Sequence, residues 1–276
     1  MNILIYIIFL SFNLYPIGFD ALNIPSNSME MSLSGSGIAA RYSGAMNPSG
    51  NINQSSVIGF SANKWMVEIN GNSFYYIDNG YQFTYSSFKV DDIELRNNIP
   101  SDTPLDIIES NLLSFGISKS FKIFKDFDFG IGANFHYTQL FVDKFSTLTF
   151  DLGLQKPFLN NLRIGLLIKD IGINSSDIPT NYGTGISYYI ENFKTEFLLD
   201  YLYSKHYNSG INFGLIQRIK MLTFNVGYSK FSNLRTTLSS GIKINLNKKY
   251  NFLYSVLSIE NTNLGLAHYF GIEISL

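Results

Sequence analysis

From about residue 110 to the C-terminus, apolar and small polar residues alternate with a period of two. Leu148, Phe150, Leu152 and Leu154 fall on one side of the repeat, and Thr147, Thr149, Asp151 and Gly153 on the other. Leu162, Ile164, Leu166 and Ile168 stand opposite Arg163, Gly165 and Lys169. Leu222, Phe224, Val226 and Tyr228 stand opposite Thr223, Asn225, Gly227 and Ser229. Further on, Leu238, Ile242, Ile244 and Leu246 face away from Thr237, Ser239, Gly241, Lys243 and Asn245, and Phe270, Ile272 and Ile274 from Gly271 and Glu273. A period of two means strand, because successive side chains point to opposite faces of a sheet.

The polar face decides between architectures. A soluble sandwich turns an apolar face inward and a charge-rich face to water. Here the polar face is mostly Gly, Ser, Thr and Asn, and the apolar face carries almost no charge. Small polar residues suit the interior of a narrow barrel, and an uncharged apolar exterior suits lipid. Composition agrees: charged residues make up 15% of the chain, against about 25% in ordinary soluble domains, and there are 18 Tyr and 24 Phe. Twenty basic and 21 acidic residues leave a net charge of -1, which offers no footprint for nucleic acid. With no cysteine, disulfides and thiolate metal sites are excluded.

Residues 3–12 form an apolar run whose only polar member is Ser11. The run is shorter than the roughly 20 residues of a spanning helix and matches the core of a secretory signal. Gly18 and Ala21 are small residues suited to cleavage, although no Lys or Arg precedes the run. The expected organisation is a signal peptide over 1–21, a plug segment over 22–54 and an outer-membrane β-barrel over 55–276. Short connections are expected at 123–125, 159–161, 191–192, 220 and 247–249. Connections at 96–109 and 173–181 belong to the opposite, outer end, as is usual for bacterial barrels. Counting back from the C-terminus through 80–95 and a hairpin at 55–77 gives about fourteen antiparallel strands.

Residues 22–50 read LNIPSNSMEMSLSGSGIAARYSGAMNPSG. This resembles the opening of the PorV/PorQ family, part of the FadL-like barrel superfamily: a Leu-rich segment with Pro and Ser, a Gly/Ala stretch, and an Asn-Pro-Ala-Gly turn, here Asn47-Pro48-Ser49-Gly50. Residues 115–121 and 129–134, the stretch FSTLTFDLG at 145–153, Arg163-Ile164-Gly165, and Lys169-Asp170-Ile171-Gly172 are similar to later family motifs in the same order, with Asp170 where Asn is usual. The resemblance implies a barrel of about fourteen strands with an N-terminal segment folded into its lumen. It also implies one of two roles: a component of type IX protein secretion, or a passive carrier of hydrophobic compounds.

Candidate sites follow. Asn47, Pro48, Ser49 and Gly50 have turn chemistry: Pro fixes φ, Gly permits positive φ and Asn caps. They are expected to shape the plug. Asp151, Arg163, Lys169, Glu196, Asp200, Arg218, Lys243 and Glu273 fall on the inward face. Their mixed signs suit mutual pairing, or pairing with the plug, rather than a single-sign selectivity ring. His136, His206 and His268 match no zinc spacing, with His136 and His268 as candidate near neighbours in the barrel. Residues 91–109 carry Asp91, Asp92, Glu94, Asp102, Asp106 and Glu109 against Arg96, and read as a solvated outer loop lacking the EF-hand order, with a calcium- or partner-binding loop as the alternative. No catalytic constellation, cofactor or metal is implied. The expected partners are outer-membrane lipid and either secretion-system proteins or a hydrophobic small molecule. A soluble exported β-sandwich adhesin is the alternative of a different class.

Overall fold

The computed structural model describes residues 22–276 except 23, 42–45, 66–68, 97–101, 125, 174–177, 206–207, 233–235, 248 and 261–264; for Asn53 and Leu140 it describes the backbone alone. The segment expected as a signal peptide, and His206, lie outside these residues.

Fourteen strands follow one another: β1 (Val57–Lys64), β2 (Ile69–Asp78), β3 (Tyr81–Leu95), β4 (Asp106–Ile123), β5 (Phe127–Leu140), β6 (Asp143–Leu159), β7 (Leu162–Gly172), β8 (Asn181–Ile190), β9 (Thr195–Ser204), β10 (Asn208–Ile219), β11 (Leu222–Phe231), β12 (Thr236–Asn245), β13 (Tyr250–Ile259) and β14 (Ala267–Ser275). Each pairs antiparallel with its sequence neighbours, and β1 pairs with β14, Val57 opposite Ser275 and Lys64 opposite His268, to close the barrel. One continuous closed ladder replaces the two packed sheets of a sandwich, so the adhesin alternative falls. Closure removes the unpaired strand edges that a bilayer core does not tolerate.

At one end every connection is short: 79–80, 124–126, 160–161, 191–194, 220–221 and 246–249. Asn79 and Gly80 both have positive φ, 49° and 78°, as a two-residue turn of the mirror-image type that matches strand twist requires. β1 begins and β14 ends at this same end. The other end carries the longer links, including 96–105, 173–180 and 260–266. The acidic stretch at 91–109 departs from the expected loop. β3 runs to Leu95 and β4 starts at Asp106, so most of these carboxylates sit on strands. The register shifts between Val90 and Ile93, where Asp92 takes a φ of 58°; a bulge absorbs the extra residue and lets pairing resume.

The alternation sorts cleanly in space. Phe115, Ile131, Phe150, Leu152, Leu166, Ile186, Phe213, Phe224 and Ile272 project outward and are exposed, while the residues between them face the interior. Across β3–β6 the outward face turns polar along one cross-strand row, Lys89 opposite Asn111, Asn111 opposite Gln139, and Gln139 opposite Lys144. Leu152 lies well inside the apolar band. Leu152→Arg is expected to cost about 2–4 kcal/mol, as a cation at the bilayer midplane does. The check is the fraction of lipid-refolded protein that migrates as a compact unboiled band on a gel, which should fall below wild type.

Candidate functional site

The interior is filled by the segment that precedes β1. It enters through a short helix, α1 (Ser28–Ser32), capped by Asn27, whose side chain accepts from the Glu30 amide at 2.9 Å. The Glu30 carboxylate reaches back to accept from the amide and hydroxyl of Ser26, both at 2.8 Å. This is a reciprocal cap displaced by one residue from the usual capping box. A turn of 3-10 helix at Pro48–Asn53 ends the segment, with Asn47 as its cap accepting from the Ser49 amide at 3.1 Å.

Between these points the segment touches the wall almost all the way round. Tyr269 of β14 donates to the Pro25 carbonyl at 2.6 Å. Ser28 and Ser255 of β13 share a hydrogen bond at 2.9 Å, and Ser34 and Ser239 of β12 another at 2.8 Å. Asn225 of β11 donates to Ser32 at 3.0 Å. Gln155 of β6 donates to the Ile38 carbonyl at 2.7 Å. The Asn47 amide group donates to that same carbonyl at 2.8 Å and to the Leu166 carbonyl of β7 at 3.1 Å. Ser120 of β4 donates to the Pro48 carbonyl at 2.6 Å, and Asn51 to Gln82 of β3 at 2.8 Å. Glycines make room for the main chain. A Cβ on Gly130 would strike the Pro48–Ser49 backbone, one on Gly165 the Ile38–Ala39 backbone, and one on Gly227 the Leu33–Ser34 backbone.

The eight candidate charges occupy inward positions on β6, β7, β9, β10, β12 and β14. Asp200, 1% exposed, accepts from the amides of Gly37 and Ile38 at 2.6 and 3.1 Å. Glu196, 0% exposed, accepts from the Arg41 amide at 3.0 Å, from Ser187 at 2.7 Å and from Arg218 at 3.3 Å. Arg163 bridges Asp128 at 3.2 Å and Gln155 at 2.8 Å. Lys243 pairs with Glu273, which also accepts from Tyr75. Asp151 accepts from Asn134 at 2.9 Å and from the Asp170 amide at 2.8 Å. Each of these carboxylates thus meets donors, as a buried charge must.

Three acids inside the barrel were not among the candidates. Asp128 alternates with Phe127 and Phe129, a signal that was present. Asp170 follows Lys169 directly, so simple alternation puts it outside. A bulge between β6 and β7 and a φ of 60° at Asp170 turn it inward instead, leaving it 2% exposed. Glu30 precedes the strands and carries no periodic signal. The two described histidines are not neighbours. His136 faces inward on β5 and is buried, whereas His268 lies on β14, bonded to Tyr254 at 2.9 Å.

His136 brings a serine and an aspartate near each other. Its Nδ1 lies 2.8 Å from Ser114 Oγ and its Nε2 3.1 Å from Thr149 Oγ1. Asp170 stands 3.9 Å from Nε2, outside hydrogen-bond reach. With both ring nitrogens engaged by hydroxyls and the carboxylate unbonded to the ring, the set lacks the oriented base of a nucleophilic triad. Among the described residues no His, Asp and Glu side chains gather as a metal-ligand set.

Among the described residues, three cavities adjoin the segment. One of about 380 Å³ opens among Gln54, Arg218, Lys243, Asn251 and Glu273 at the short-turn end. A second, about 120 Å³, is walled by Ser73, Gln82, Ser114, Asn134 and His136 beside Ile24, Phe74, Phe88, Leu112 and Ile117. The third, about 140 Å³, has Ile38, Leu167, Leu202, Phe231 and Leu257 beside Asn181 and Asn212.

No protein-family model matches the sequence, and no curated protein does. Solved structures do match. The toluene transporter TbuX of Ralstonia pickettii aligns over 96% of this chain and 100% of its own, with a TM-score of 0.65 and 14% identity. The toluene transporter TodX of Pseudomonas putida aligns over 90% and 96%, with a TM-score of 0.63 and 10% identity. A FadL homologue of Pseudomonas aeruginosa aligns over 90% and 97%, with a TM-score of 0.58 and 9% identity. At such identities the likeness is one of fold: the chain shares the closed-barrel architecture of these structures, with a segment ahead of its fourteen strands.

Proposed function

We propose that this protein is a non-enzymatic outer-membrane barrel that serves envelope transport by holding a protein partner at its outer rim, as an accessory of type IX secretion of the PorV/PorQ kind. The observation that supports this reading is a raised wall. β3–β6 are 14–18 residues long, whereas the remaining strands have 8–12. Roughly 9–11 residues are enough to cross the hydrocarbon layer. Beyond the polar row from Lys89 to Lys144, the hairpin tips expose Leu95, Leu105 (60%), Ile107, Phe141 and Val142 (70%), close in sequence to Glu94, Asp106 and Asp143. Large apolar side chains held in water within a charged frame are the composition of a protein-binding surface.

A photo-crosslinker at Val142, in cells carrying the native secretion apparatus, tests the reading. The expected result is a discrete protein adduct that Ile107→Asp abolishes while the heat-modifiable barrel persists. Absence of an adduct, together with unchanged export in a deletion strain, would sink the proposal. A second reading, a passive carrier of hydrophobic compounds, is favoured by the cavity beside Leu202, Phe231 and Leu257 and by the fold shared with toluene transporters. Uptake of labelled toluene into proteoliposomes above the protein-free rate would favour it over the rim reading.

A further inference from the structure

We infer that the lumen keeps a cation-selective aqueous route around the N-terminal segment, with Glu30 and Lys169 at its narrow point. This activity is independent of the rim and stands apart from the proposed docking role.

The three luminal cavities share walls one side chain thick. Glu30 and Met46 line both the cavity at the short-turn end and the one beside Leu202 and Phe231. Lys169 and Asp170 line that second cavity and also the one beside His136. Asn27, Tyr75 and Gln82 line the cavity beside His136 and the short-turn one. These partitions are side chains rather than main chain, so a change of rotamer at Met46 or Lys169 would join neighbouring cavities without moving the backbone. The segment can therefore stay in place while small solutes pass beside it.

Charge along the route is uneven. At the short-turn end the cations are matched: Arg218 bonds Glu196 and Lys243 bonds Glu273. Among the described residues that line the two remaining cavities, Glu30, Asp151 and Asp170 face a single ammonium, that of Lys169. An excess of carboxylate around a constriction favours cations, as acidic rings do in cation pores.

A second observation is separate from the carboxylates. Asn212, 2% exposed, lines the cavity beside Leu202, and its Oδ1 has no hydrogen-bond partner. Ser73, 7% exposed, lines the cavity beside His136 with an unpartnered Oγ. Asn212 pairs in register with Asp200, whose own Oδ1 is also unpartnered. A buried oxygen without a donor is costly. Water or a hydrated cation in the adjoining space satisfies it, and cavities of about 120 and 140 Å³ exceed the roughly 10–15 Å³ that one water needs by the same measure.

The test is the full-length protein in a planar bilayer with an asymmetric KCl gradient. Wild type is expected to conduct and to reverse on the potassium side. Glu30→Gln should bring the reversal potential toward zero. Lys169→Met, which leaves the Ser26–Glu30 contacts untouched, should move it further toward the potassium potential. Only preparations that keep the heat shift are measured, and if Glu30→Gln fails to refold, Lys169→Met carries the comparison. Wild-type current no greater than in the protein-free membrane, a reversal on the chloride side, or an unmoved potential in Lys169→Met overturns the inference. Crosslinking at Val142 reads the rim separately, so failure of one does not imply failure of the other.

Discussion

Gly227→Val is expected to drive the N-terminal segment out of the lumen while leaving the barrel closed. Gly227 sits at an inward position in the middle of β11, and a Cβ built there overlaps the main chain at Leu33 and Ser34. A clash with a flexible side chain relaxes by rotation, but a clash with backbone does not. Valine adds two further methyl groups stiff at χ1. Overpacking of this kind costs about 1–3 kcal/mol and occasionally more, and the upper end is expected because both colliding partners are main chain. The wall itself is untouched, since Gly227 pairs with Gly214 and Ser239 through backbone alone. Limited proteolysis in detergent checks this: the mutant should be cut within residues 22–54 at protease levels that spare wild type, while the unboiled gel shift persists. Ser240→Val, on the outward face of β12, is the control and should resist like wild type. An uncut Gly227→Val protein would mean that the segment takes another path past β11.

Asp200→Ala is expected to loosen the same segment from a different point. The Asp200 carboxylate accepts from two consecutive amides, Gly37 and Ile38, all of them buried. Removing it leaves two buried donors unsatisfied, at roughly 1–3 kcal/mol each, so a loss of about 2–6 kcal/mol is the ceiling. Relief from burying a carboxylate offsets part of it, because desolvating a charge opposes its attractions. Asp200→Asn keeps one acceptor oxygen while removing the charge and should fall between alanine and wild type. Urea titration of the lipid-refolded protein, read by the heat shift, measures the order. Asn equal to alanine would show that charge rather than hydrogen bonding holds the segment, and alanine equal to wild type would show that Gly37 and Ile38 are held elsewhere.

The sequence alone determined the wall. Leu148, Phe150 and Leu152 against Thr149, Asp151 and Gly153 assign each side chain to a face, because strand geometry has a period of two whatever the partner strand. The uncharged apolar face, the short turns and the even strand count then leave a closed barrel as the consistent arrangement. Tertiary structure alone decided what breaks or spans that period. Asp170 reverses its face through a bulge that depends on the register between β6 and β7. The acidic residues around 91–109 extend two strands because β3 and β4 continue to pair above the apolar band, a choice that local polarity does not encode. The partners of the N-terminal segment are set the same way. Ser28 meets Ser255 across 227 residues and Gly37 meets Asp200 across 163, contacts that exist only once the barrel has closed around the segment. Periodicity is a local property carried by every few residues, whereas these contacts depend on closure, which is a property of the whole chain.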